Sequence, residues 1–139
     1  MGELVRTISE NGGVIALAID STDIVSRMQD IHKTSAVVAA GLGRLLTAAS
    51  LMGSMLKAKD DSITLRVNGG GPSGSLIAVT DYMGNVRGYV ANPIVEIPLN
   101  KYGKLDVSGA IGKEGTLSVV KDIGLKDPYI GQIPLVSGE

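Results

Sequence analysis

The chain has 139 residues, enough for one domain with a real core, and its 13 basic and 14 acidic residues leave a formal charge of −1. That near-neutrality, with no basic run, provides no chain-wide attraction to nucleic acid or anionic lipid. Apolar residues at 44% against charged residues at 19% mark a globular chain, and the absence of Cys excludes a disulfide, a thiolate zinc site and a catalytic thiol.

With no Phe, no Trp and four Tyr, the core must be built from Val, Ile, Leu, Met and Ala. Aromatic platforms for stacking nucleic-acid bases are correspondingly scarce. The first stretch, MGELVRTISENGG, lacks the basic leader, apolar core and small-residue cleavage site of a signal peptide, so a cytoplasmic protein is expected.

In chain order, residues 3–9 alternate weakly and read as a strand, ENGG at 10–13 is turn chemistry, and VIALAI at 14–19 reads as the returning strand of a hairpin. Asp20, Ser21 and Thr22 are candidate caps for a helix in which Ile24, Met28 and Ile31 recur at helical spacing, with Asp23 near its positive end. Residues 35–57 carry one charge, Arg44, before Lys57, a pattern long enough to raise a transmembrane reading. Arg44 near mid-bilayer would cost about 2.5–3.5 kcal/mol. The Lys57–Asp61 flank and the sheet-like remainder also favour a helix buried in protein. Such a helix must be covered on nearly all sides, and Gly41, Gly43, Gly53 and Ser54 would admit close neighbours.

From residue 62 the period changes to two. Ile63, Leu65 and Val67 share one face of a strand over 62–68, and further strands are expected over 75–82, 86–92, 115–122 and 129–136. Pro93 and Pro98 bracket an extended piece at 94–97, an edge or a crossing segment. The chain stops at Glu139 soon after an apolar strand-like run, which reads as a cut rather than a natural end. These elements give an α+β fold, a mostly antiparallel sheet packed around a long apolar helix, in a single domain over 1–139.

Gly69, Gly71 and Gly74 match the spacing G-x-G-x-x-G, and Glu96 lies at a plausible distance for a ribose contact. A phosphate site needs a helix after the third glycine, with free amides at its positive end. The residues after Gly74 are β-rich instead, and Pro72 removes one amide donor. A wide hairpin loop with glycines at positive φ is the alternative. A nucleotide- or small-ligand-binding enzyme built on 69–74 requires helix after Gly74; a binding module requires strand.

No other motif assembles chemistry. His32 is the single histidine and reads as a surface or capping residue, and Ser73 in GPSGS is not a nucleophile elbow. Asp60 and Asp61 read as a solvated turn rather than a metal pair. The five Met, among them Met28, Met52 and Met55, fill the core or line an adaptable surface. No catalytic, cofactor-binding or metal-ligating residue is therefore assigned.

Five ordered blocks carry a resemblance: GLGRLLTAASLMGSMLK (41–57), VNGGGPSGSLIAV (67–79), VRGYVANP (86–93), LDVSGAIGKEGTLSVVKDIGL (105–125) and GQIPLVSGE (131–139). Together they resemble the bacterial redox-regulated heat-shock chaperone family of about thirty-three kilodaltons, along essentially the whole chain. The resemblance implies an ATP-independent holdase of the stress response that binds unfolding proteins under oxidative and heat stress, and not an enzyme. It implies that 1–139 is the first half of such a protein, the client-binding and dimerising N-terminal part, with a homodimer expected. The family's zinc, held by four C-terminal cysteines that also form its regulatory disulfides, has no ligands in this chain. Exposed apolar surface tolerant of many partners is the physical requirement. Leu76, Tyr82, Tyr89, Ile94 and Ile97 are the candidate client-binding residues, on the expectation that they share the apolar side of the central sheet.

Overall fold

The alternating start of the chain folds back on itself. In a computed structural model, which describes residues 2–139, β1 (Leu4–Ile8) pairs antiparallel with β2 (Ile15–Ile19), Leu4 opposite Ile19 and Ile8 opposite Ile15. The turn between them is closed by Asn11 Oδ1, which accepts from the Ser9 hydroxyl at 2.7 Å and the Gly13 N–H at 3.0 Å. Asp20 then launches α1 (Thr22–His32): its Oδ1 accepts from the Thr22 N–H at 3.0 Å and the Thr22 hydroxyl at 2.7 Å. Of the three candidate caps, Asp20 holds the helix start, while Ser21 caps nothing with its side chain.

The long apolar run forms α2 (Ala36–Gly53), which ends four residues before the expected Lys57. Beyond Gly53 the chain tightens into a turn: the Leu56 N–H donates to the Gly53 carbonyl at 2.9 Å, and Asp61 Oδ2 accepts from the Ala58 N–H at 2.9 Å. Asp61 is thus a buried turn-former rather than a solvated residue, while its neighbour Asp60 stays exposed. Among the described residues α2 is the helix long and apolar enough to cross a membrane, but more than half of it is buried inside the fold. Leu42, Leu46 and Ala49 are almost wholly inaccessible. Three of the four small residues behave as expected, Gly41 meeting Ile111, Gly43 meeting Val25 and Gly53 meeting Thr80.

The sheet that α2 covers contains β3 (Ser62–Asn68), β4 (Leu76–Asp81), β5 (Val86–Val90), β6 (Thr116–Asp122) and β7 (Tyr129–Pro134). Its order is β5-β4-β3-β6-β7, every pairing is antiparallel, and Leu65 on the central strand faces Ala78 on one side and Val119 on the other. The fold is therefore α+β, a mostly antiparallel sheet packed on a long apolar helix. Period-two alternation sets the inner face: Ile63 and Leu65, Leu76, Ala78 and Thr80, and Val90 are all buried.

Two connections tie these layers together. The Pro93–Pro98 piece is a crossing segment that belongs to neither sheet. Ser35, in front of α2, pins it: the Ser35 N–H donates to the Pro93 carbonyl at 2.9 Å and its Oγ accepts from the Val95 N–H at 3.1 Å. One turn of helix, α3 (Val107–Ile111), was not expected from periodicity; Asp106 Oδ1 caps it by accepting from the Gly109 N–H at 3.0 Å, and Val107, Ala110 and Ile111 are buried.

Candidate functional site

The glycine loop is a hairpin connection. Strand β4 follows it directly, and Gly70 and Gly74 take positive φ of 76° and 71°, as a wide loop requires. The amides that would grip a phosphate are already committed to the chain's own carbonyls. The Gly71 N–H donates to the Ile111 carbonyl at 3.0 Å, and the Ser73 N–H donates to the Ala110 carbonyl at 2.9 Å. A Cβ on Gly71 would lie 2.6 Å from the Ala110 oxygen, so the glycines serve close packing of the loop on the end of α3. The enzyme reading built on 69–74 is overturned by the strand and by this use of the amides.

The remaining lone groups stay apart. His32 closes α1, half-buried, and Ser73 is buried with no hydrogen-bond partner for its Oγ. Among the described residues no group of three or more His, Cys, Asp or Glu is placed to hold a metal ion. The methionines divide: Met28 is buried, Met52 half-buried, Met55 exposed.

The five apolar residues singled out from the sequence do not share one surface. Leu76 is 1% exposed and faces α2 from β4, whereas Tyr89 on β5 is 54% exposed. Arg87 and Tyr89 alternate with the inward Val86, Gly88 and Val90, so Tyr89 lies on the outer face of the sheet. Tyr82 and Ile97 are half-buried against the core, and Ile94 stands exposed on the crossing segment. Alternation and the crossing segment send these side chains to different sides.

The structure brings together a different set. The helix α2 packs against β3, β4 and β5, with α1 and α3 on its flanks, and makes no comparable packing with β6 or β7. A cleft of about 470 Å³ is left between the bare flank of α2 and the inner face of β6. Leu45, Ala48 and Met52 form one wall, Leu65, Val67, Leu117 and Val119 the other, and Leu135 lies at its end. Arg44 and Glu139 are the charged groups on its rim. The expectation of a helix covered on nearly all sides is corrected here, since Arg44 and Ala48 are exposed. Farther along the same face, β7 adds Tyr129 and Ile133, both more than half exposed. The Leu117/Val119 alternation was visible in the sequence, but nothing in it showed that α2 stops short of β6. Chemically, the arrangement offers apolar area with little polar decoration and no reactive group.

Comparison with known proteins bears on what such a surface is for. The family model described as Hsp33 protein matches residues 2–139. Proteins called 33 kDa chaperonin are 49% identical over 137 residues in Clostridium tetani and 50% identical over 138 residues in Clostridium acetobutylicum. Each match takes in 99% of this chain but only 47% and 46% of the respective relative. The crystal structure of the 33 kDa chaperonin from Thermotoga maritima superposes with a TM-score of 0.91 at 40% identity, covering 97% of this chain and 46% of that one. The chain thus spans about half the length of the relatives it matches. With the family model matching residues 2–139 and the fold superposing over 97% of the chain, the chain belongs to the Hsp33 family.

Proposed function

We propose that this chain is the client-holding part of an ATP-independent, redox-regulated chaperone, and that the cleft between α2 and β6 is its principal holding surface. The observation that carries the reading is the bare inner face of the β6–β7 half of the sheet. Apolar side chains there alternate as if for burial yet stay partly uncovered at Leu117 and Val119 and largely uncovered at Tyr129 and Ile133, and exposed apolar area of this kind marks interaction sites. The scarcity of aromatic rings and the presence of Met52 favour a surface that adapts to many unfolding partners over one that fits a single ligand. Tyr89 and Ile94 are proposed as further contact points because they are exposed, with Tyr82 and Ile97 reachable in part; Leu76 is buried against α2 and is not among them.

The same cleft disposes the chain to self-association, and a homodimer in a bacterial cytoplasm is part of the proposal. Neither nucleic acid nor membrane is a proposed partner. Redox sensing and zinc binding do not fit the residues present, because the chain has no Cys and one His. No step is routed through the metal, and the switch is assigned to sequence outside this chain.

The test is suppression of aggregation of a heat-denatured client without ATP. The full-length parent, oxidised, is expected to suppress aggregation and its reduced form to do so poorly. An oxidised parent that leaves aggregation unchanged would remove the proposal. For the chain itself, light scattering is expected to report a dimer or higher oligomer, and a monodisperse monomer at high concentration would contradict the self-association.

A further inference from the structure

The cleft lies beside β6. Near the opposite edge of the sheet, between α1 and β5, runs a second groove of about 570 Å³. One wall is a single face of α1, where Asp23, Ile24, Arg27, Met28, Ile31 and His32 recur at helical spacing. The other wall runs from Asn85, in the turn before β5, through Val86 and Arg87 to Gly88 of β5, and Leu46 of α2 contributes to the lining.

The strand β5 is an edge. Bonded pairs alternate along an antiparallel ladder. The pairing with β4 is bracketed by the Asp81 N–H donating to Asn85 and the Ala91 N–H donating to Ser75. In that alternation Arg87 and Tyr89 direct their backbone groups at β4. Val86 and Gly88 direct theirs off the edge, beside the groove. The groove also has a sign. Arg27 and Arg87 line it and are exposed, His32 closes one end, and Asp23 is the carboxylate that lines it. In a chain of net charge −1 this is a local positive excess.

We infer that this groove takes an extended segment of another polypeptide as an added antiparallel strand on β5. Its alternate side chains are aliphatic and turn inward toward Ile24, Met28 and Ile31. The intervening ones are acidic and lie beside Arg87. An edge strand flanked by a helix is the setting in which strand addition supplies affinity through main-chain bonds and specificity through alternate side chains. The inference uses a site apart from the α2/β6 cleft and does not rest on the holdase reading.

The probe is the fluorescein-labelled peptide Val-Glu-Val-Glu-Val-Glu-Val, capped at both ends, titrated against the protein by anisotropy. Saturable binding is expected, at least tenfold tighter than for the counterpart with Lys at every Glu position. Antiparallel addition pairs the valine amides with Val86 and Gly88, so N-methylation of the valines abolishes binding and N-methylation of the glutamates does not. Arg87→Glu reverses the preference between the two peptides. In a nitrogen–proton correlation spectrum, peptide-induced shifts are expected at the Val86 and Gly88 amides. Equal binding of the valine-methylated peptide, equal binding of the lysine peptide, or shifts confined to Leu117 and Val119 would each overturn the inference.

Discussion

The two halves of the sheet carry the same alternating pattern and meet different fates. On β3–β5 the inner residues Leu65, Leu76, Ala78 and Val90 lie under α2 and are nearly inaccessible. On β6–β7 no helix closes over the inner residues: Leu117 and Val119 are only partly buried, Val119 at the margin of the core, and Ile133 is more than half exposed. A strand's hydrophobic face therefore states that it is built to be covered, not by what. In this chain the covered half supplies stability and the bare half supplies a surface.

The largest effect that this contrast predicts is on stability. Leu42, fully buried between α2 and the sheet, should lose about 2–5 kcal/mol on replacement by Ala. Leu117→Ala, in the bare half, should lose about 1 kcal/mol or less, because little packing is removed and water already reaches the site. Urea midpoints at constant slope measure both. Equal losses would mean that the cleft is closed in solution, by a second copy or by rearrangement, and the contrast between the halves would fail.

The joint between the halves comes next. The glycine loop after β3 docks on the end of α3, which leads into β6, and the Glu114 N–H returns to the Gly69 carbonyl at 3.1 Å. Gly71→Val would drive a side chain into the Ile111 and Ala110 backbone, at 2.5 and 2.6 Å from the Cβ position. A loss of about 1–3 kcal/mol is expected, with amide exchange accelerated most in β6 and β7, the half that depends on this joint. Uniform acceleration across all five strands would show that the halves unfold as one.

A smaller change in stability should accompany a large change in surface behaviour when Leu117 and Val119 both become Asp. Both positions are partly buried but border the open cleft, where water can reach an introduced carboxylate, so the urea midpoint should move by about 1–2 kcal/mol. The enhancement of a hydrophobic dye's fluorescence should fall severalfold, and the scattering mass should drop toward that of a monomer. Retention of both signals would place the sticky area elsewhere, on the outer face at Tyr89 or on the β1–β2 hairpin.

Much of this architecture was legible because local chemistry decided it. The 10–13 turn needs only Asn11 and two glycines, the strands over 62–68 and 116–122 announce themselves by alternation, and the strand after Gly74 answered the glycine question. What was not legible depends on distant neighbours. Helix α3 is a single turn, too short for periodicity to register, and exists because Asp106 caps it and Ala110 and Ile111 pack on Gly41 and the glycine loop. The turn that follows α2 is held by Asp61, which accepts from the Lys57 and Ala58 N–H groups. The five residues proposed for client contact failed to share a face because the side that Tyr89 presents is fixed by the register of β5 on β4. The cleft itself was hidden because the sequence shows which side of β6 is apolar without showing how far a helix from another part of the chain extends over it.

The two outer hairpin turns extend the contrast to pH. In the covered half, Asp81 Oδ1 accepts from the Met83 N–H at 2.9 Å and the Asn85 N–H at 3.0 Å, while Oδ2 accepts from the Asn85 side-chain amide at 3.0 Å. The Asn85 side chain chiefly holds the Asp81 carboxyl below its ordinary value; partial burial opposes it, and the Asn85 and Met83 backbone donors add to the lowering. In the bare half, Asp122 Oδ1 accepts one longer bond, from the Gly124 N–H at 3.2 Å. A group whose folded-state pKa is depressed stabilises the fold fully above its unfolded value, about 4, and the benefit drains away as pH falls through the lower folded value. Asp81→Ala should therefore cost about 1 kcal/mol at neutral pH, at the modest end because the group is solvent-exposed. The difference from the parent should shrink steadily once pH drops below about 4. Asp122→Ala should cost less at neutral pH, because one longer hydrogen bond is lost. Thermal melts of both variants between neutral and acid pH measure this, and a gap for Asp81→Ala that stays constant into acid would mean that the turn is held by its backbone, not by the carboxylate.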